Sequence, residues 1–238
     1  MLEAFGLSDQ GCIRTNNEDY FISDADAGIF IVADGMGGAC GGEYASQISA
    51  EVLHRFLRQL PGSTCSETFE QGFLEANRAV RQAARENAQL EGMGTTLLAA
   101  REVGPRQVQV GSVGDSRAYL LSSEGLQLLT HDQTWVAEVG TRLGLTEEAL
   151  KTHPMRHVLT MAIGSAEEVR VDYCCREMQA GDQILLCSDG LHGVIDGNIL
   201  GNILNSEKTL AEKCHYLVDA AKSEGGPDNI TVVLIRMV

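Results

Sequence analysis

The amino-acid sequence predicts an α+β fold built on antiparallel sheets. Strand-like runs come in groups, and pairs of helical segments separate the groups, instead of one helix following each strand. Strict alternation would favour a parallel sheet, whereas grouped strands and grouped helices indicate antiparallel pairing. No linker, low-complexity tract or repeat of about 20–50 residues interrupts the chain. We therefore expect one domain that covers residues 1–238.

In the first part of the chain, strand-like runs precede a helix pair. The runs lie at residues 4–8, 19–23 and 29–33, and a glycine-rich turn at 35–42 opens the first helix. Apolar residues in this helix follow the i, i+3, i+4 spacing of an amphipathic helix: Ala45, Ile48, Val52, Leu53, Phe56, Leu57 and Leu60. Pro61-Gly62 should end it, and a second helix is predicted over about 66–89.

The second part repeats this organisation around a segment of mixed character. Strands are predicted at 95–101, 108–113, 117–121, 126–129, 171–178, 183–187 and 230–235. The mixed segment covers residues 134–165 and includes a short helical stretch at Thr146-Glu147-Glu148. Helices at 196–204 and 209–224 lead into the closing strand.

The composition excludes several classes of protein. Lys and Arg number 18 against 33 for Asp and Glu, and the formal charge of -15 argues against a nucleic acid or an anionic membrane as partner. No apolar stretch approaches the roughly 18–20 residues that span a bilayer, and the start does not resemble a secretory signal. The seven cysteines include no C-x-x-C pair, which favours reduced thiols in a cytoplasmic protein over disulfides or a cysteine-bound zinc.

Aspartates follow the apolar runs that read as buried strands. Asp34, Asp115 and Asp189 each follow such a run, and Asp228 stands just before the last one. Taken singly, an Asp-Gly pair after a strand indicates a hairpin turn. Taken together, carboxylates at the ends of core strands can converge, and they repel one another unless cations lie between them. The pattern therefore suggests a site of oxygen ligands for hard divalent metals.

An ordered series of short motifs strengthens this interpretation. In chain order they are Ser8-Asp9-Gln10-Gly11-Cys12-Ile13-Arg14, Asn16-Asn17-Glu18-Asp19, Ala33-Asp34-Gly35-Met36-Gly37-Gly38, Met93-Gly94-Thr95-Thr96, Gly114-Asp115-Ser116-Arg117, Leu129-Thr130-His131-Asp132, His153-Pro154-Met155-Arg156, Ser188-Asp189-Gly190 and Gly226-Pro227-Asp228-Asn229. The series resembles the metal-dependent protein phosphatases, the type 2C serine/threonine phosphatases, and is most similar to small bacterial members with a catalytic domain alone. The resemblance covers residues 8–235. It implies a sandwich of two antiparallel sheets flanked by helix pairs, with the active cleft at one edge.

The resemblance also implies a set of metal ligands. Asp34 would bridge two ions, the first of which would also bind Asp189 and Asp228. The second ion would bind Glu18 and the main-chain carbonyl of Gly35. In bacterial relatives the position of Asp115 helps hold a third ion together with that of Asp189. The expected cofactors are therefore two Mn²⁺ or Mg²⁺ ions, and a third ion where Asp115 is a ligand.

Two further residues would act on substrate and water. The resemblance makes Arg14 the residue that grips the substrate phosphate, because a guanidinium can bind two phosphate oxygens at once. Asp19 would orient water at the metals. A water shared by two divalent ions would attack the phosphorus directly. From the residues alone, Arg14 could equally be a surface arginine, and Glu18 with Asp19 a solvated charge pair.

The expected activity is hydrolysis of phosphoserine and phosphothreonine in proteins by a monomeric enzyme that counteracts a bacterial serine/threonine kinase. One alternative is a catalytically inactive scaffold, although the complete acidic set counts against it. A second is a phosphatase of small phosphoesters or phosphotyrosine. Asp132 is left outside the site as an ordinary turn residue, and His131, His153 and His157 are interpreted as surface or hydrogen-bonded histidines.

The sequence departs from the family pattern at two positions near the site. Met36 stands where animal members carry a histidine proposed as general acid, so a metal-bound water or another histidine would have to protonate the leaving group. Ala39 stands where some bacterial relatives have a histidine. Residues 134–165 correspond to the family's flap beside the cleft, and Gly140, Gly144 and Gly164 would give it hinge freedom. We expect this flap to contact the phosphoprotein.

Overall fold

The fold is described from a computed structural model. It describes residues 1–37, 41–60, 66–140, 142–146, 149–150 and 153–238. The predictions for Ala39, for the helix end at Pro61-Gly62 and for the helical stretch around residues 147–148 lie outside the described residues.

Two antiparallel sheets form the centre of the molecule. The first has the order β1-β11-β10-β7-β8, from Leu2–Asp9, Ile230–Met237, Gln183–Cys187, Arg117–Ser122 and Gly125–Leu128. The second has the order β2-β3-β5-β6-β9, from Asp19–Asp24, Ile29–Met36, Leu97–Gly104, Gln107–Val113 and Asp172–Glu177. A short strand β4, Gly94–Thr95, pairs with the end of β3.

Helices cover the outer face of each sheet. On the second sheet lie α1 (Gly41–Arg58) and α2 (Ser66–Glu86), followed by a 3₁₀ turn at Ala88–Leu90. On the first lie α3 (Asp189–His192), α4 (Gly197–Leu204) and α5 (Leu210–Ser223). The side chain of Thr209 accepts a hydrogen bond from the Glu212 amide, and the Glu212 carboxylate accepts one from the Thr209 amide, so α5 begins at a capping box.

Alternation along the strands divides the core into layers. In β3, Phe30 and Val32 point between the sheets, where they join Leu186 and Val233. The intervening residues of β3 point to the helices and pack with residues such as Leu53, Leu57, Phe69 and Phe73 of α1 and α2. A third cluster joins the outer face of β10 and β11 to α4 and α5. The predicted α+β sandwich with flanking helix pairs is confirmed.

The boundaries of β3 overturn one local interpretation. The strand continues to Met36, with Asp34 directly opposite Asp19 and Gly35 opposite Thr95. Asp34-Gly35 does not form the hairpin turn that an isolated Asp-Gly pair would indicate, because Asp34 pairs with Asp19 and Gly35 pairs with Thr95. The predicted strand at 95–101 divides at Thr96, whose hydroxyl accepts a hydrogen bond from the amide of Asp34 at 3.0 Å. The helix predicted to residue 89 ends at Glu86.

Two findings bear on the predicted class of protein. Within the described part of the chain, none of the helices is long and apolar enough to cross a membrane. Cys12, Cys174, Cys175, Cys187 and Cys214 are free thiols, as predicted from the cysteine spacing.

Candidate metal centre

A cleft of about 860 Å³ opens at one edge of the sandwich. The predicted site residues that line it come from segments distant in sequence: Arg14, Glu18, Asp34, Gly35, Asp115, Asp189 and Asp228. Asp19 does not line the cleft but lies buried beside it, opposite Asp34 in the β2–β3 pair. The fold thus brings the predicted residues to one place.

Asp189 and Asp228 meet because β10 and β11 are hydrogen-bonded neighbours. Asp189 is the first residue of α3, directly after the cap residue Ser188, and Asp228 precedes the first residue of β11 by two positions. The Ser188 hydroxyl donates to Asp19 Oδ2 at 2.7 Å and so connects this edge to the second sheet. Asn229 extends the connection, because its Oδ1 accepts a hydrogen bond from the Glu18 amide at 2.9 Å.

Asp115 is held in a tight loop after β6. Gly114 adopts a φ of 101°, a left-handed conformation that glycine tolerates best. Ser116 shares a hydrogen bond of 2.7 Å with the hydroxyl of Thr96, which also accepts the amide of Asp34. A short hydrogen-bonded chain therefore connects the loop of Asp115 to the strand of Asp34.

Glycine is required where Glu18 approaches the start of α1. A Cβ on Gly35 would lie 2.2 Å from the carbonyl oxygen of Gly42, and a Cβ on Gly42 would lie 2.4 Å from Glu18 Oε2. Glu18 Oε1 accepts a hydrogen bond from the side chain of Asn16 at 3.0 Å. The Ser46 hydroxyl donates to the Glu18 carbonyl at 2.6 Å. Close backbone contact therefore fixes the Glu18 carboxylate beside the Gly35 peptide.

The buried carboxylates carry charge that the surrounding protein does not neutralise. Burial, and then the charges of the neighbouring carboxylates, raises the pKa of Asp34 well above its usual range. Burial also raises the pKa of Asp19 to about 7 and, together with the charge of Asp189, that of Asp115 to about 8. The pKa of Asp189 is raised by burial and by Asp228.

The site meets the requirements of a hard divalent cation. Asp19 Oδ1 is buried and accepts no hydrogen bond from the residues that the structure describes, whereas buried polar atoms normally have a partner. The predicted ligands in the cleft offer carboxylate and carbonyl oxygens, which Mg²⁺ and Mn²⁺ prefer. No three acidic, histidine or cysteine side chains within the described ranges surround one point closely enough to hold an ion as they stand. An ion would therefore draw these carboxylates inward from the positions they occupy here.

One arginine and one histidine lie close to two of these carboxylates. Arg14 Nη2 lies 2.7 Å from Asp228 Oδ2, and Asp228 is the largest cause of the raised pKa of Arg14. His157 Nδ1 lies 4.0 Å from Asp189 Oδ2. Arg14 is half exposed, but it lines the cleft and is not a detached surface arginine.

The predicted flap segment lines the cleft with residues 156–159. A π-helical turn at Val136–Gly140 and a bridge between Thr134 and Leu159 organise this segment. Trp135 stacks on His153, with ring centroids 4.6 Å apart. Gly164 has a φ of 90° and donates its amide to Asn77 Oδ1 at 2.7 Å, so that end of the segment is anchored to α2.

Several contributing residues were not predicted. Asp132 is not an ordinary turn residue, because both of its carboxylate oxygens accept hydrogen bonds from Arg117, at 2.9 and 2.7 Å. His192 is partly buried at the end of α3, and burial of its ring, followed by the charge of Arg117, lowers its pKa to about 4. The Gly-Asp-Ser-Arg and Thr-His-Asp motifs contained the signal for the first pair. A four-residue helix has too little periodicity to reveal the second.

The fold and the acidic cleft together define a phosphatase-like metal centre, and comparison with known proteins agrees. The family model described as protein phosphatase 2C matches residues 14–234. The serine/threonine phosphatase stp of Listeria monocytogenes is 37% identical over 236 residues, which are 96% of this chain and 93% of the relative. The chain belongs to the protein phosphatase 2C family.

Solved structures support the same assignment. The serine/threonine phosphatase PstP/Ppp of Mycobacterium tuberculosis superposes with a TM-score of 0.91 at 35% identity, covering 99% of this chain and 98% of that one. A structure of the PstP catalytic domain in complex with two manganese ions superposes with a TM-score of 0.88 at 33% identity, covering 99% and 97%. The family resemblance inferred from the motif series is confirmed.

Proposed function

We propose that this protein hydrolyses phosphoserine and phosphothreonine monoesters in other proteins and that it requires Mn²⁺ or Mg²⁺. The observation that carries the proposal is the convergence of Asp34, Asp115, Asp189 and Asp228 at one cleft, with Asp19 buried beside it and carboxylate repulsion that bound cations would relieve. Relatives similar over nearly the whole chain bear the name serine/threonine phosphatase. Residues 1–238 act as one catalytic domain in this proposal.

The proposed ligand set divides among two ions and an additional one. Asp34 would be a ligand of two ions, Asp189 and Asp228 would be the other protein ligands of one, and Glu18 with the Gly35 carbonyl would be those of the other. Asp115 and Asp189 would hold the additional ion. The support is that these groups line one cleft and offer only oxygen donors.

Bound divalent ions would offset the negative charge of the phosphate and make a water molecule acidic enough to attack it near neutral pH. Arg14 binds two oxygens of the phosphate and holds the phosphorus in line with the attack. Asp19 is fixed at Oδ2 by the Ser188 hydroxyl, and its unpartnered Oδ1 is the acceptor that orients the attacking water. Residues 156–159 limit access of bulk water from the flap side.

The partners follow from the activity. The substrate is a phosphorylated protein that reaches the cleft past the flap, and the opposing enzyme is a serine/threonine kinase of the same cell. We place the protein in the cytoplasm as a monomer, in keeping with its acidic composition and free thiols. The net charge of -15 is unfavourable for binding nucleic acid.

A hydrolysis assay tests the proposal directly. The purified protein should release phosphate from an aryl phosphate when Mn²⁺ is added, and EDTA or Asp34→Ala should abolish the release. A panel of phosphoserine, phosphothreonine and phosphotyrosine peptides then identifies the substrate class. A protein that binds Mn²⁺ but hydrolyses none of these substrates would be a scaffold, and faster turnover of phosphotyrosine peptides would contradict the proposed specificity.

A further inference from the structure

One histidine connects the two segments that carry Asp115 and Asp189. His192 is the last residue of α3, and Asp189 is the first residue of that helix. His192 Nε2 lies 2.9 Å from the main-chain carbonyl oxygen of Asp115. A carbonyl can only accept a hydrogen bond, so Nε2 must carry the hydrogen and donate it. A single side chain thus spans from the helix of one carboxylate to the loop of the other.

The surroundings of His192 favour this fixed role as a donor. The charged groups that act on its ring are Arg117 and Asp132, which form a two-pronged ion pair with each other. The side chain of His192 is partly buried, and its Nε2 faces the Asp115 carbonyl beside this ion pair.

The rest of the Asp115 loop is equally constrained. The amide of Gly114 donates to Gln133 Oε1 at 2.9 Å, and the amide of Gln133 donates to the Gly114 carbonyl at 3.0 Å. Ser116 and Arg117 are held by Thr96 and Asp132. These contacts fix the loop to β5 and to the start of the flap. The pairing of Arg117 with Cys187 between β7 and β10 holds the loop near Asp189, and His192 adds a side-chain contact between the helix of Asp189 and the carbonyl of Asp115 itself.

We propose that His192 is a positioning residue that sets the separation of Asp115 and Asp189 and so determines the affinity of the additional ion. This inference rests on the proposed function, which assigns these two carboxylates to a shared ion. His192 touches neither substrate nor phosphate in this proposal. Its effect reaches the ion through the main chain of Asp115.

Two substitutions separate positioning from packing. His192→Gln keeps a side-chain N–H that can reach the Asp115 carbonyl, whereas His192→Phe keeps the ring volume and removes the donor. We expect Mn²⁺ titration monitored by electron paramagnetic resonance to show the weakest site of His192→Phe at least tenfold weaker, with the two tighter ions retained. His192→Gln should stay within about threefold of the native affinity. Hydrolysis of an aryl phosphate should show a raised Mn²⁺ requirement in His192→Phe and a near-native kcat at saturating Mn²⁺.

His54→Phe is the matched control, because His54 also forms a side-chain hydrogen bond, to Asp24 at 2.8 Å, but does not line the cleft. It should leave Mn²⁺ binding unchanged. Thermal midpoints in EDTA record any loss of folding. The proposal is overturned if the native protein binds only two ions, if both His192 variants bind Mn²⁺ as the native protein does, or if both lose the weakest site equally. Failure of the proposed function gives a different result, since the native protein would then release no phosphate from the aryl phosphate or the phosphopeptides at any Mn²⁺ concentration.

Discussion

Both ends of the neighbouring strands β10 and β11 bury charged side chains, but the groups that surround those side chains differ. At the cleft end, Asp189 and Asp228 face other carboxylates. At the far end, where Gln183 pairs with Arg236, the side chain of Lys213 lies 4% exposed. Its ammonium donates to the Leu204 carbonyl at 2.6 Å and to Gln183 Oε1 at 3.0 Å.

The two ends differ in the contacts that stabilise their buried charged groups. Leu204 is the last residue of α4, so Lys213 meets the negative end of a helix as well as two neutral oxygens. The buried ammonium is thereby hydrogen-bonded within the protein, although burial and then the charge of Arg236 lower its pKa. The cleft end has no comparable compensation, because the buried carboxylates repel one another and one carboxylate oxygen has no donor. Hydrogen bonds satisfy the buried charged group at the far end. In the proposed function, bound metal ions neutralise the buried carboxylates at the cleft end.

Replacing Asp34 by a neutral residue should lower the activity and raise the stability of the metal-free protein. Asp34→Asn should reduce Mn²⁺-dependent hydrolysis by about 1,000-fold or more, about 4 kcal/mol, because the shared ligand of two ions is weakened. In EDTA the same variant should unfold at a higher temperature, since it removes a buried carboxylate with a raised pKa. Hydrolysis rates and thermal midpoints measure the two effects. A variant that loses both activity and stability would contradict this account.

The pH dependence of the metal-free protein should follow from the same carboxylates. The pKa values of Asp19 and Asp115 are about 7 and 8 in the folded state, above the 3.8 of an unperturbed carboxyl. The folded protein therefore binds more protons than the unfolded chain between about pH 4 and pH 8, and its stability falls as pH rises through this window. Each unit by which a pKa is raised corresponds to about 1.4 kcal/mol, so the loss should exceed about 4 kcal/mol by pH 8.

Urea unfolding in EDTA at pH 5, 6.5 and 8 measures this loss. Added Mn²⁺ should stabilise the protein more at pH 8 than at pH 5, because ions compete with protons for the carboxylates. Stability that is constant over this range would show that the repulsion is relieved without protons or metals.

A substitution at the far end of β10 and β11 should lower stability and leave activity unchanged. Lys213→Met should destabilise the protein by about 1–3 kcal/mol, because the Leu204 carbonyl and Gln183 Oε1 lose a shared donor. The kcat at saturating Mn²⁺ should stay native, since Lys213 lines no part of the cleft. Chemical unfolding and steady-state hydrolysis provide the two readouts. A large fall in kcat with unchanged stability would show that the two ends are coupled.

The smallest expected effect concerns the ion pair between Arg14 and Asp228. Because this guanidinium and a metal ion would compete for one carboxylate, Arg14→Ala should bind Mn²⁺ about three- to tenfold more tightly without phosphate, or about 1 kcal/mol. Calorimetric titration measures the change. Arg156→Ala is the control, since Arg156 lines the same cleft and no ion pair joins it to a described acidic residue within 4.0 Å. An equal increase in both variants would indicate a general charge effect.

The strands, the helices and the acidic residues at the ends of buried runs could be predicted because they leave local signals in the sequence. Alternating apolar residues predict the strands, and an acidic residue after each buried run predicts convergence. Pairings between distant residues leave no such signal. The contact of Arg14 with Asp228 joins positions 214 residues apart, and the environment of Lys213 depends on a helix end and a strand that meet only in the folded chain. The strand pairing of Asp34 depended on the partners on either side, which override the local preference for a turn.

The stacking of Trp135 on His153 gives this protein a built-in optical reporter. Trp135 is the single tryptophan of the chain, and its ring lies in the segment that borders the cleft. Indole emission from the unlabelled protein therefore originates entirely beside the site of catalysis. Rapid-mixing fluorescence can follow rearrangement of that segment as a phosphopeptide arrives and departs, with no dye attached and no residue replaced.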